Sequence, residues 1–487
     1  MVGEPELALD ESCGRQSAVS RSSKMANQNQ QRSLHLPHLA GPRGLGSGWS
    51  RRELIILAAV VIVTILIFSH SSPKYSSTIV GNHTDKSSNS APPSSASRHS
   101  DWIPFTPLTN AHHKAALCLD GSVPGYHMEK GFGSGSHDWV LHIEGGGWCN
   151  TIASCSSRKK TALGSSKYMD APVQFSGILS HDPLQNPAGG LFYRFALSML
   201  CQDFYNWNKV KIRYCDGASF SGHPDAESKN GPELFFRGQL IWEAVMDQLL
   251  SLGLSNARQA LLSGCSAGGL ATLLHCDNFQ GILPKGATVK CLADAGFFLN
   301  EKDVAGNHTI ESFYRDVVNL QGIAKSLNKD CLSKMEPHKC FFPQEFIENI
   351  KTPLFLVHPA YDFWQIRNIL APDESDSQRT WLSCKLNIFN CNPSQLEVLR
   401  GFRNSLLKTL GKFQQNKEGG MFINSCFIHC QTWMAETWHS PTSPRINNRT
   451  IAECVGDWYF NRKEAKEVDR PFPCNPTCYN MDFTRGL

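Results

Sequence analysis

The sequence predicts an α/β protein built on a doubly wound, mostly parallel sheet and tied by disulfides. Three observations lead there. Six short apolar runs alternate with helix-patterned stretches, as strands do in a sheet covered on both faces. One run ends in a glycine-bracketed serine where a strand-turn-helix unit is expected. And 17 of the 18 cysteines lie after residue 100, a density suited to an oxidising compartment.

The runs, in order, are Trp139–Glu144, Val210–Tyr214, Gln259–Ser263, Thr288–Leu292, Pro353–Pro359 and Met421–Asn424. Helices are expected between them, notably over Leu234–Leu252 and Phe342–Ile350. No repeat of 20–50 residues interrupts this alternation, so residues 101–487 read as one domain. In such sheets the chemistry gathers at the carboxyl ends of the strands.

Composition supports a large core: of 487 residues, 41% are hydrophobic and only 18% charged, which excludes global disorder. A negative mean hydropathy excludes a polytopic membrane protein. Residues 1–100 carry 10 of the 47 Lys and Arg and 6 of the 43 Asp and Glu, so residues 101–487 hold 37 of each sign. Nucleic acid is therefore not an expected partner. The cysteines show no repeated Cys-x-x-Cys and His pattern of a zinc site, and no metal site is expected. Sequons at Asn82, Asn307 and Asn448 are compatible with glycosylation in a secretory compartment.

Residues 1–50 are polar, without hydrophobic period, and are expected to form a disordered cytoplasmic tail. Within 51–69, Leu54–Phe68 is an apolar run preceded by Arg43, Arg51 and Arg52. At ~1.5 Å per residue it spans only ~22 Å, but polar flanks leave it nothing to pack against. A signal-anchor is expected, or a cleaved signal peptide, with the remainder on the luminal side. If retained, it makes a single-pass type II protein of the Golgi or plasma membrane. Between Ser69 and Ser100, 12 of 32 residues are Ser, the composition of a stem over 70–100.

Gly264-Cys265-Ser266-Ala267-Gly268 follows Ala260-Leu261-Leu262 and fits the tight turn that projects a serine hydroxyl. A helix starting at Ala267 would aim that residue's N–H at a developing oxyanion. A serine needs a histidine to take its proton, and the histidine needs a carboxylate to hold its tautomer. In an α/β-hydrolase-like fold the chain order is Ser, acid, His. Asp362 follows the run ending at Pro359, and His429 follows Met421–Asn424, so the order is met. Asp362 could instead cap a helix over Phe363–Leu370, and His429 could be a packed ring. Asp277 and Asp294 compete for the acid role, and His275, His358 and His439 for the base role. Gly145-Gly146-Gly147, after Trp139–Glu144, is the expected second source of oxyanion N–H groups, with Cys149 and Cys155 able to staple the loop. This chemistry reaches a serine carboxylesterase acting on an exported substrate.

Glu144-Gly145-Gly146-Gly147-Trp148-Cys149, Gly264-Cys265-Ser266-Ala267-Gly268-Gly269, Tyr361-Asp362-Phe363-Trp364-Gln365-Ile366 and Ser425-Cys426-Phe427-Ile428-His429-Cys430-Gln431 together resemble the plant pectin acetylesterases, from about Thr106 to Cys478. The animal Notum-type carboxylesterases share that superfamily. The resemblance implies hydrolysis of O-acetyl groups on galacturonic acid residues of cell-wall pectin, with no metal or organic cofactor. It implies Ser266 as nucleophile, Asp362 as orienting acid, His429 as base, and Gly146, Gly147 and Ala267 as oxyanion donors. Arg158-Lys159-Lys160 or Arg213 would then be the cations able to meet a polyuronate. The rival expectations are a Notum-like lipid-ester hydrolase and a catalytically dead wall-polymer binding protein.

An odd 17 cysteines after residue 100 leaves at least one unpaired in the expected monomer. Cys265, locked in the tight turn, is the expected free thiol. Cys426 and Cys430 could form one short bridge or two separate ones.

Overall fold

A computed structural model describes residues 102–186, 203–223 and 234–486; the tail, anchor and stem expected over residues 1–100 lie outside them. Among these residues ten strands form one sheet. They are β1 (Ile103–Pro107), β2 (Gly125–Glu129), β3 (Asp138–Ile143), β4 (Pro172–Val173), β5 (Asn208–Ile212), β6 (Gln259–Cys265), β7 (Thr288–Asp294), β8 (Leu354–Pro359), β9 (Gly420–Asn424) and β10 (Lys466–Val468). Their order across the sheet is β10-β9-β8-β7-β6-β3-β5-β2-β1-β4. Strands β5, β3 and β6 to β10 are parallel, and β2, β1 and β4 extend the edge antiparallel. All six expected strands are present within two residues at each end. The antiparallel edge and β10 were not foreseen, because their short, half-polar sequences carry no continuous apolar run.

Residues of the central strands alternate between two cores. Leu141, Leu262, Ala293, Leu356 and Ile423 enter one, while Val140, Leu261, Leu292, Val357 and Phe422 enter the other. Both faces are dry, so the period-2 alternation of polarity disappears and each strand reads as unbroken apolar sequence. The principal helices are α1 (Ile152–Arg158), α2 (Gly238–Ser251), α3 (Ala267–Ile282), α4 (Thr309–Gln321), α5 (Pro393–Thr409) and α6 (Ile451–Tyr459). Helices α2 to α5 contribute to the first core and α6 to the second, through Val455, Trp458 and Tyr459. Among the described residues no helix is long and apolar enough to cross a membrane.

Two expected helices differ. Over 342–350 the chain forms two separate single turns, Pro343–Glu345 and Ile347–Asn349, because Phe346 between them, at φ −137° and ψ −8°, leaves the helical region. The apolar spacing there reflects burial of Phe342, Phe346 and Ile347 in the core, with no helix ladder beneath it. Over 363–370 a short turn, Phe363–Gln365, widens at once into Ile366–Leu370.

Seven disulfides join described cysteines: Cys118–Cys215, Cys149–Cys155, Cys265–Cys430, Cys276–Cys291, Cys331–Cys340, Cys384–Cys391 and Cys426–Cys478. Cys474 is disulfide-bonded as well. The expectation for Cys265 is corrected: it is bridged, and the free thiol among the described residues is buried Cys454 on α6. Parity foretold a free thiol, but its identity depends on which strand ends meet. The ends of β6 and β9 converge, whereas Cys454 lies in the second core.

Candidate active site

Strand β6 runs into Ser266 and helix α3 starts at the next residue. Ser266 has φ 58° and ψ −126°, a left-handed conformation that costs a non-glycine residue energy and is held by close packing around it. A side chain on Gly264 would strike the Gly268 carbonyl, and one on Gly268 the carbonyls of Ile143 and Glu144. Glycine at those two positions lets β6, the turn and the end of β3 approach one another. The Ser266 N–H donates to the Asp294 carbonyl at 2.8 Å and its carbonyl accepts from Leu270 N–H at 2.9 Å, which pins the turn between β7 and α3.

Asp362, just beyond β8, is 1% exposed, and His429, beyond β9, 9%. His429 Nδ1 lies 2.8 Å from Asp362 Oδ2 and 3.0 Å from Oδ1. Asp362 Oδ1 also accepts from the N–H groups of Trp364 (2.8 Å) and Gln365 (3.2 Å), so it both caps the following turn and holds the imidazole. The His429 ring lies over Trp364, centroids 6.2 Å apart at 25°, and meets the edge of Phe363. Its Nε2 is buried without a hydrogen-bond partner among the described residues. Ser266 and His429 line one cavity of about 740 Å³.

The glycine loop after β3 forms another wall. Gly145, Gly146 and Gly147 line the cavity, with Gly147 at φ 62°. Its peptide planes are fixed from behind: Arg158 of α1 donates to the carbonyls of Gly146 (2.8 Å) and Trp148 (3.1 Å), and the Tyr214 hydroxyl donates to that of Gly147 (2.8 Å). The Cys149–Cys155 bridge ties the end of the loop to α1. Ala267, the first residue of α3, is wholly buried and does not line the cavity.

The competing residues have other partners. Asp277 accepts from the N–H groups of Lys351 and Thr352. His275 lies against Trp242 at 4.5 Å and bonds the Phe220 carbonyl. His358 bonds Gln365, and His439 bonds Thr450. Burial holds both His275 and His358 neutral, their pKa lowered to about 4. Asp294 lies closer to the site. Its Oδ2 accepts from the N–H groups of Gln431 (2.6 Å) and Thr432 (2.7 Å) and the Thr432 hydroxyl (2.8 Å), so it grips the loop just past His429. Burial raises its pKa to about 6, with those hydrogen bonds opposing.

Two features escaped sequence reasoning. An aromatic cluster, Trp148, Phe298, Tyr314, Phe341 and Trp364, stands beside the histidine, assembled from segments far apart in the chain. Trp433 is half exposed at the cavity, and nothing local distinguishes it from the ten other tryptophans.

Comparison with known proteins shows the family. The pectinacetylesterase family profile matches residues 96–479. Pectin acetylesterase 5 of Arabidopsis thaliana is 59% identical over 404 residues, 82% of this chain and 91% of its own length. Palmitoleoyl-protein carboxylesterase notum1' of Xenopus laevis is 29% identical over 417 residues, 79% of this chain and 76% of its own. Among solved structures, the Wnt deacylase Notum from Drosophila superposes with a TM-score of 0.62 at 24% identity, covering 78% of this chain and 99% of that one, which is a likeness of fold.

Proposed function

Since the chain belongs to the pectinacetylesterase family and is a carboxylic ester hydrolase, we propose that it removes acetyl groups from acetylated galacturonan in the plant cell wall, with Ser266 as nucleophile. One observation carries the assignment: His429, which lines the same cavity as Ser266, is held through Nδ1 by Asp362 at 2.8 Å, while its Nε2 has no hydrogen-bond partner among the described residues.

In this reading His429 Nε2 takes the Ser266 proton as Oγ attacks the acetyl carbonyl. Asp362 keeps the proton on Nδ1 and stabilises the imidazolium. The N–H groups of Gly146, Gly147 and Ala267 receive the developing oxyanion; the Arg158 bond to the Gly146 carbonyl fixes the peptide plane that carries the Gly147 N–H, and Ala267 is the first residue of α3. His429 then returns the proton to the departing sugar hydroxyl. Water, deprotonated by the same histidine, attacks the acetyl-enzyme, and acetate leaves as Ser266 recovers its proton.

The disulfides and the plant relatives favour a secreted or cell-wall protein. Acetate release from acetylated pectin, with p-nitrophenyl acetate as a simple ester, tests the proposal. Ser266→Ala should lose several orders of magnitude in kcat, and a variant that keeps a tenth of the activity would require another nucleophile.

The apolar wall of the cavity, with Leu163, Phe175, Phe313 and Trp364, supports a second reading, hydrolysis of a longer acyl ester. A preference for octanoyl over acetyl esters would select it.

A further inference from the structure

Among the described residues, the charged ones lining the cavity are Glu144, Arg158 and Lys211. Arg158 turns two guanidinium nitrogens to main-chain carbonyls of the glycine loop. Glu144 is anchored by Arg213, whose Nε reaches Oε2 at 2.8 Å, and by the Tyr214 N–H on the same oxygen at 3.2 Å. Arg213 itself is 4% exposed and does not line the cavity. Of the cations expected to meet a polyuronate, one therefore holds the loop, one is buried beneath a carboxylate, and Lys159 and Lys160 lie off the cavity wall.

Lys211 is different. It lies on β5 two residues before Arg213, at the carboxyl end of the strand, so alternation puts both on one face. Its side chain is 27% exposed and its Nζ is 3.4 Å from Glu144 Oε1. Across the sheet its register partners are His142 of β3 and His127 of β2. Burial keeps both imidazoles neutral, His142 with a pKa of about 3. Lys211, Arg213 and Glu144 thus leave one positive charge, and Lys211 alone among the two cations can present it to the cavity. Asp170, 4.0 Å from Arg213, is 80% exposed and solvated.

Resting on the pectin-ester reading above, we propose that Lys211 is a specificity-determining residue that binds the carboxylate of the acetylated uronate. It makes the ionised uronate, rather than a neutral acetylated sugar, the preferred alcohol side of the ester. An ammonium suits this task, since it is a compact charge with three donors, of which one stays on Glu144.

The test compares acetate release by the full chain from acetylated polygalacturonan and from the same polymer with its carboxyls methyl-esterified, at low and high salt. The wild type should favour the free-acid polymer at least tenfold in kcat/KM, through KM, and should lose that preference as salt is raised. Lys211→Gln should abolish the preference, Lys211→Glu should invert it, and Lys211→Arg should keep most of it. A wild type that treats both polymers alike overturns the proposal without any variant, and so does a Lys211→Gln enzyme whose kcat/KM falls equally on both. A wild type that cleaves p-nitrophenyl acetate but releases acetate from neither polymer would instead sink the pectin-ester reading itself.

Discussion

The disulfide between Cys265 and Cys430 joins the residue before Ser266 to the residue after His429. Two strands that are not neighbours in the sheet, β6 and β9, are thereby tied at the ends from which the two side chains emerge. Asp294 repeats the tie without covalent bonds: its carbonyl accepts from Ser266 N–H and its carboxylate from Gln431 and Thr432. Serine and histidine are held to one frame by a bridge on one side and β7 on the other.

Removing the bridge with Cys265→Ala and Cys430→Ala together should lower kcat on p-nitrophenyl acetate at least tenfold, since displacements near 1 Å can cost ~100-fold. Stability should fall by about 2–5 kcal/mol, given a sequence separation of 165 residues. Steady-state kinetics and urea melts of the double variant measure both. Wild-type kcat with lowered stability would mean that the Asp294 contacts alone position the loop.

Asp362→Asn should lose at least ~100-fold in kcat, because an amide at that place favours the wrong histidine tautomer. Asp294→Asn keeps an acceptor for the Gln431 and Thr432 donors and should lose less than tenfold. Parallel kinetics on the two variants decide the matter: an inert Asp294→Asn with an active Asp362→Asn would transfer the acid role to Asp294.

The same Asp294 substitution has a pH signature. Burial raises the carboxyl from an ordinary 3.8 to about 6, so between those values the folded chain holds this proton more tightly than the unfolded chain does. The contribution of the group is therefore most favourable below pH 3.8 and declines as pH rises through about 6. Asp294→Asn removes that dependence, so its destabilisation relative to wild type should be greater near pH 4.5 than near pH 7, by at least ~1 kcal/mol. Urea denaturation at the two pH values tests it, and an equal or opposite difference would contradict the raised pKa.

On the acetyl-ester proposal, the acyl limit is expected at Trp148 and Trp364, the two rings of the aromatic cluster that line the cavity. Trp148 packs edge-to-face on Phe298 at 4.9 Å and on Trp364 at 5.6 Å. On that proposal a longer acyl chain would have to displace these rings, at a cost above the ~0.8 kcal/mol gained per buried methylene. Acetyl esters should exceed octanoyl esters at least tenfold in kcat/KM, and Trp364→Ala should narrow that ratio. An unchanged ratio in the variant would place the acyl limit elsewhere.

The elbow was legible from sequence because its demands are local: Gly264 and Gly268 must lack side chains within four residues of each other for β6, the turn and β3 to approach. The central strands were legible for a similar reason, since burial on both faces writes itself as unbroken apolar sequence. Chain order and strand ends then narrowed the acid and base to a few candidates. Which carboxylate meets the histidine was decided only by folding, because Asp294 ends β7 and Asp362 follows β8 by three residues, both buried, and they differ in where their oxygens point. The contacts that separate them span 137 and 67 residues. The partner of Cys265, the aromatic wall and the exposure of Lys211 beside the buried Arg213 are of the same kind. Local sequence constrains backbone shape and burial over a few residues, whereas pairing across such distances exists only once the sheet has set which strand ends are neighbours.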